Sequence, residues 1–155
     1  MNIGDICNRE VVFVNPDVTV HAACRLMRHY HVGSLVVVDT ANDDPAPRAR
    51  HVPVGMLTDR DIVIEVDAME LDARVITAGD IMSNDLVVAP ESLSLTEAID
   101  LMRFKGVRRL PVVNADNRLA GIVTVDDMLV VLAEAFSNIA HVVSREPSRE
   151  KRTRR

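Results

Sequence analysis

Gly55-Met56-Leu57-Thr58-Asp59-Arg60-Asp61 decides the fold, because the chain repeats it as Gly121-Ile122-Val123-Thr124-Val125-Asp126-Asp127. Each copy is a glycine, two apolar residues, a threonine, two further residues and an aspartate, and an apolar helical run follows. Two such echoes in one short chain point to a duplicated unit with its business at this corner.

Working outward, the whole chain divides into two copies. Gly4-Asp5-Ile6 answers to Gly79-Asp80-Ile81, 75 positions on, and Val12 to Pro16 answers to Leu86 to Pro90, 74 positions on. Val20, Leu26, Met27 and Arg28 match Leu95, Leu101, Met102 and Arg103 at 75 again, so this reading carries a one-residue indel. The corners lie 66 apart, which leaves the first copy nine residues longer, in the Pro-, Asp- and Arg-rich stretch from Thr40 to His51. That composition predicts an exposed loop.

Each copy carries the same local pattern. Short apolar runs, Val11 to Val14 and Leu86 to Val88, predict strands stopped at proline. Thr19 and Ser94 are N-cap candidates, and Ser94 with Glu97 has the spacing of a capping box. Apolar residues at helical spacing follow: Val20, Ala23, Cys24, Met27 and Tyr30 in one copy, Leu95, Ala98, Ile99 and Met102 in the other. Buried strands are predicted at Leu35 to Val38 and Leu110 to Val113, then at Val52 to Leu57 and Leu119 to Val123. Closing helices are predicted over Asp59 to Ala68 and Val125 to Val143. The second presents Met128, Leu129, Leu132, Phe136, Ile139 and Val143 on one side, a stripe that suits a twin repeat or another subunit. A unit of this size leaves one side of its core open, and stacking the two copies closes it.

Composition narrows the function classes. The chain has 155 residues, 48% of them hydrophobic, and aromatics make up only 3%. Single-strand nucleic-acid binders stack bases on aromatics, so this balance argues against that class. The net charge of -5 is uneven: the tail from Arg145 carries six basic residues against two acidic ones, leaving the remainder near -9. Such a body does not attract nucleic acid. Cys7 and Cys24 form no CxxC pair and read as small core hydrophobes in a reducing compartment. There is no signal-peptide pattern and no membrane-length apolar run, so a cytoplasmic location is expected. No nucleophile motif, P-loop or Gly-rich dinucleotide fingerprint occurs, which argues against an enzyme. His21-x-x-Cys24 puts two metal-ligand types on one helical face without a third, so a core cysteine beside a surface histidine is the plainer reading and no metal site is expected. His29 and His31 lie where they can meet the last helix carbonyls.

The paired strand-helix-strand-strand-helix units, with Gly4-Asp5-Ile6 and Gly79-Asp80-Ile81-Met82 opening them and the two corners closing them, resemble a tandem pair of CBS domains, or Bateman module. The resemblance covers about residues 2 to 134 and is greatest to stand-alone bacterial CBS pairs. It implies an α/β (α+β type) fold of two pseudo-symmetric repeats, each a three-stranded sheet with two helices, packed as one module. The boundaries expected are repeat 1 over 2–68 with its loop at 40–51, a linker at 69–78, repeat 2 over 79–143, and a disordered basic tail at 144–155. The family implies a homodimeric, non-enzymatic sensor of adenosyl ligands (AMP, ADP, ATP, NAD or S-adenosylmethionine), with an unnamed protein target and no membrane. No cofactor is required; Mg2+ would enter only with ATP, at Asp59 with Asp61 or Asp126 with Asp127.

The corner itself reads two ways. Thr58 and Thr124 can simply cap helices, with Asp61 and Asp127 completing the box. Equally, a helix N-terminus attracts phosphate, the threonine hydroxyl can donate to it, and a carboxylate accepts from ribose hydroxyls. In the resembling family the Asp contacts ribose and the Thr lies near phosphate, which carried over gives Asp61, Asp127, Thr58 and Thr124, with Ile122 beside the second pair. Arg108 and Arg109 sit where the family places a phosphate-reaching cation, or in a solvated turn; Gly33 and Ser34 match them in repeat 1. Because a family cleft draws on both repeats, Asp127 with Arg108 and Arg109 is expected to face Val14 to Pro16 and Val32 to Ser34. Asp61 is expected to face Val88 to Pro90, with Arg60 as an extra cation. The Asp127 corner is then the better phosphate site, and adenine would lie among aliphatic side chains. The alternative is the same fold with empty clefts, an interaction module whose corners only cap helices.

Overall fold

In the computed structural model, which describes residues 1–40 and 51–153, the chain forms two three-stranded sheets related by the internal repeat. In the first half, α1 (Ile3–Ile6), β1 (Phe13–Val14), α2 (Val20–Tyr30), β2 (Ser34–Thr40), β3 (His51–Thr58) and α3 (Asp59–Ile62) follow in order. The second half repeats them as α4 (Ala78–Ile81), β4 (Ala89–Pro90), α5 (Leu95–Lys105), β5 (Arg109–Val113), β6 (Leu119–Thr124) and α6 (Val125–Thr153). In each sheet the short first strand runs parallel to the central one and the third runs antiparallel to it.

Local chemistry places these elements. The Thr19 hydroxyl accepts from the Ala22 amide at the start of α2, and Ser94 and Glu97 form the capping box expected for α5. Both long helices end on a left-handed residue at matching positions, His31 (φ 54°) and Gly106 (φ 68°). The His31 amide donates to the Met27 carbonyl, so its part in ending the helix is played by its backbone. The central strands are apolar runs buried on both faces: Leu35, Val36, Val37 and Val38 in β2, Leu110, Pro111, Val112 and Val113 in β5. A strand covered on both sides reads as a continuous hydrophobic run, which is why these two were plain in the sequence.

Several features differ from the sequence reading, and β1 is shortened to Phe13–Val14. The strand expected at Leu86 to Val88 lies at Ala89–Pro90, so proline sits inside it; β4 pairs only with β5, and an edge strand tolerates the missing N–H. Strand register makes Val14 opposite Val37 equivalent to Ala89 opposite Val112, a uniform offset of 75, and the expected indel disappears. The helix expected over Asp59 to Ala68 changes after Ile62 into a π-helical segment, Val63–Asp67, where Val66 enters the core. Finally, α6 continues to Thr153, past the expected end at Val143; Arg, Glu and Lys of that stretch favour a helix, against the penalty of Pro147 within it. In the expected 40–51 loop, Thr40 and His51 are paired ends of β2 and β3, and the remainder lies outside the described residues.

The two halves exchange their opening helices. Ile3 of α1 and Cys7, the residue that ends it, pack into the core of the second half with Ala98, Leu110 and Val123. Ala78 of α4 is buried with Ala23, Leu35 and Leu57 of the first half, and Ile81 packs against that cluster. The backbone mirrors the exchange: the Gly4 amide donates to the Glu91 carbonyl at 3.0 Å, and the Gly79 amide to the Pro16 carbonyl at 2.8 Å. The expected linker is docked as well, since the Val20 and His21 amides donate to the Ile76 and Ala73 carbonyls. Neither half therefore completes its core alone.

Candidate functional site

The exchange brings the segment after each opening helix past the other half's corner. Asn8 and Ile122 trade two backbone hydrogen bonds at 2.8 and 2.9 Å, and Ser83 and Met56 trade the equivalent pair at 2.9 and 3.4 Å. The approach is so close that only glycine fits next to it. A β-carbon on Gly121 would lie 2.5 Å from Cys7 Sγ, and one on Gly55 would lie 2.5 Å from Met82 Sδ. This contact explains the glycine that begins each corner motif.

The two corners have the same geometry. At the first, Asp61 Oδ2 accepts from the Thr58 amide at 2.8 Å and the Thr58 hydroxyl at 2.7 Å, while the Asp61 amide donates to that hydroxyl oxygen at 3.2 Å. At the second, Asp127 and Thr124 repeat all three distances. The capping reading is thereby realised in both copies. Here each threonine hydroxyl donates to the carboxylate of its own corner. What each corner retains is the second carboxylate oxygen, Oδ1, without a hydrogen bond among the described residues.

Each corner opens on a cleft of about 230 Å³. Ligand pockets usually measure roughly 300–1,000 Å³, so each cleft is small against that range. The clefts are built from matching positions. Asn8, Glu10, Val11 and Val12 line the Asp127 cleft as Ser83, Asp85, Leu86 and Val87 line the Asp61 cleft, with Ile122 in the place of Met56. Val32, Gly33 and Ser34 reach the Asp127 cleft, and Val107, Arg108 and Arg109 reach the Asp61 cleft. Arg109 also borders the Asp127 cleft.

This arrangement redistributes the expected residues. Thr124, Asp127, Ile122, Gly33, Ser34 and Arg109 come together, as do Thr58, Asp61, Arg108 and Arg109. Arg108 thus stands with Asp61, not with Asp127. Val14, Pro16, Val88 and Pro90 line neither cleft: Val14 is a core residue, and Pro16 packs on Gly79. The extended residues just before β1 and β4 take their place, since the strands themselves have entered the sheets. Arg60 is exposed and lines neither cleft. The space over Gly33 holds the Asp59 carboxylate, 3.0 Å from where a β-carbon would be. Sequence reasoning missed Glu10 and Asp85, although both lie in a polar-x-acid pair, Asn8-x-Glu10 and Ser83-x-Asp85, at the uniform offset of 75.

The cations therefore favour the Asp61 cleft. It holds Arg108 and Arg109 against Asp61 and Asp85, whereas the Asp127 cleft sets Arg109 alone against Glu10 and Asp127. Neither guanidinium makes an ion pair or hydrogen bond among the described residues. Beside the Asp127 cleft, by contrast, Arg9 is engaged by Glu91 and by the Gly4 and Ala120 carbonyls. The two cysteine thiols are pushed above the usual range, in each case first by burial. No group of three or more His, Cys, Asp or Glu side chains converges among the described residues. No helix there is long and apolar enough to cross a membrane.

Known proteins share this architecture. The chain is 34% identical over 131 residues to the uncharacterized protein MK0525 of Methanopyrus kandleri, covering 84% of this chain and 62% of that protein, so it spans under two thirds of that relative. It is 33% identical over 146 residues to the CBS domain-containing protein YhcV of Bacillus subtilis, covering 90% of this chain and 96% of that one. The crystal structure of Hypoxic Response Protein I with two coordinated zinc ions superposes with a TM-score of 0.70 at 34% identity, covering 83% of this chain and 97% of that one; a Mycobacterium tuberculosis Hypoxic response protein 1 is 36% identical over 130 residues, 84% of each chain. The CBS domain family model matches residues 3–68 and 78–134. With both repeats matched and both corners built alike, the chain belongs to the CBS domain family, as a tandem pair.

Proposed function

We propose that this CBS pair is a non-enzymatic regulatory module that binds an adenine nucleotide (AMP, ADP, ATP or an NAD-like ligand) in the clefts between its repeats. CBS pairs are typically regulatory. The observation that carries the ligand is the composition of the Asp61 cleft. An oxygen of Asp61 is open to ribose hydroxyls, two unpaired arginines are available to phosphate, and Met56, Leu86, Val87 and Val107 offer an aliphatic slot for a base. Those are the three parts of a nucleotide, gathered in one concavity. The ligand orders the cleft and shifts the balance between module states by its differential affinity for them. ATP would bring its own Mg2+.

The test is thermal unfolding of nucleotide-stripped protein with AMP, ADP, ATP and NAD. A ligand that binds only the folded state raises Tm with concentration, and no rise with any of the four removes this reading.

A second component of the reading is a homodimer formed through α6. Every residue from Ala133 to Val143 is exposed, including Phe136 at 71% and Ile139 at 61%. Leu129, Leu132, Phe136, Ile139 and Val143 recur at alternating spacings of three and four, the seam of a coiled coil. The same surface supports the alternative reading, an interaction module whose corners only cap helices. A cytoplasmic location accords with both.

A further inference from the structure

We infer that Arg109 is a shared ligand of the two clefts, so that a nucleotide in one weakens nucleotide binding in the other; this rests on the nucleotide reading above. Arg109 is the residue that lines both clefts, and its guanidinium has no partner among the described residues. Its dual position follows from β5, where it is the first strand residue and stands opposite Thr124. The consequences for the two clefts are unequal. The Asp61 cleft also has Arg108. The Asp127 cleft has no second cation among its lining residues, because Gly33 and Ser34 occupy the positions of Arg108 and Arg109. A guanidinium paired bidentately with one phosphate has its single positive charge and its best-aligned donors committed there, so a second phosphate on its remaining N–H groups gains less and is repelled by the first. When a phosphate in the Asp61 cleft takes Arg109, the Asp127 cleft is left with Glu10 and Asp127, two acids that repel an anion. Losing one charged hydrogen-bond partner weakens binding by roughly tenfold to a hundredfold. By reciprocity, a phosphate held first in the Asp127 cleft weakens the other by the same factor.

Isothermal titration of the full chain with AMP and with ATP tests this. The expected result is a strong first site and a second site weaker by at least about tenfold, beyond the about fourfold statistical spacing of two equal independent sites. Ser34→Arg supplies the Asp127 cleft with its own cation and is expected to bring the two sites within that fourfold. Asp61→Ala cripples the competing cleft and is expected to strengthen binding in the Asp127 cleft relative to the wild-type second step, which covers the case of a misfolded Ser34→Arg. Two equal sites in the wild type would overturn the shared arginine while leaving the nucleotide reading intact. So would an Asp127 cleft that binds no more tightly in Asp61→Ala than at the wild-type second step, because Ser34→Arg adds a cation whether or not Arg109 is shared. Binding of neither nucleotide to the wild type would remove both inferences.

Discussion

Cys7 Sγ occupies the space directly over Gly121: a β-carbon there would lie 2.5 Å from the sulfur and 3.0 Å from the Asn8 carbonyl oxygen. Cys7 ends the opening helix of one repeat and Gly121 begins the corner of the other, so this contact clamps the exchanged halves. Gly121→Ala must displace a buried short side chain and a hydrogen-bonded backbone. The expected cost is about 1–3 kcal/mol of stability, read as a fall in Tm. Gly55→Ala meets Met82 Sδ at the same distance, but a methionine chain can swing aside, and its loss is expected to be the smaller of the two.

The corner aspartates have two roles that separate experimentally. Asp61→Ala removes the acceptor for both the Thr58 amide and hydroxyl, and should cost about 1 kcal/mol in unliganded protein, the usual value of a helix cap. It should also abolish the nucleotide-dependent rise in Tm at the Asp61 cleft. Arg108→Ala is expected to reduce that rise with little change in unliganded stability, since the Arg108 guanidinium has no partner among the described residues to lose. A rise in Tm undiminished in both variants would place the ligand elsewhere.

Acid sensitivity should arise at two other caps. The Asp80 carboxylate is held below its usual range first by the Thr77 amide and then by the Thr77 hydroxyl. Glu97 is held down first by the Ser94 hydroxyl and then by its amide. A carboxylate whose folded pKa lies below its unfolded one stabilises the fold above the unfolded value, and this stabilisation fades as pH falls through the folded value. Melting curves should therefore show stability lost below about pH 4.5, the usual value for glutamate. Asp80→Asn with Glu97→Gln should flatten that part of the profile.

His31 holds a left-handed conformation, φ 54°, where the other repeat has Gly106. Since glycine pays no steric cost there, His31→Gly should raise stability by up to about 1 kcal/mol. Chemical denaturation would show this as a higher midpoint at unchanged slope.

For α6, Phe136→Ser combined with Ile139→Ser should convert the proposed dimer to monomer in sedimentation, with the helical and strand signals retained. Both side chains are exposed, so they have no core to lose. A dimer that survives both changes would place the interface off this seam.

The duplication, the order of elements and the corner motif were legible in the chain because each rests on local chemistry. Apolar runs mark β2 and β5, a Ser–Glu pair marks the start of α5, and Gly-x-x-Thr-x-x-Asp marks the turn from strand to helix. The edge strands were less legible. With two residues each, β1 and β4 are defined by pairing to Val36, Val37, Val112 and Val113 rather than by any period of their own.

The sequence by itself determined that two equivalent corners exist and that each caps its helix with a threonine and an aspartate. Only the tertiary structure decided which residues face them. Asn8 bonds to Ile122 across 114 positions, and Ser83 to Met56, so each opening segment is carried to the other repeat's corner. That exchange sets Arg108 beside Asp61 instead of Asp127 and lets Arg109 border both clefts. Periodicity and capping act over a few residues and are written along the chain. The need to pair two half-built cores was readable from their size, but which segment crosses to close each core depends on burying apolar surface in three dimensions, and only the folded arrangement shows the opening helices exchanged.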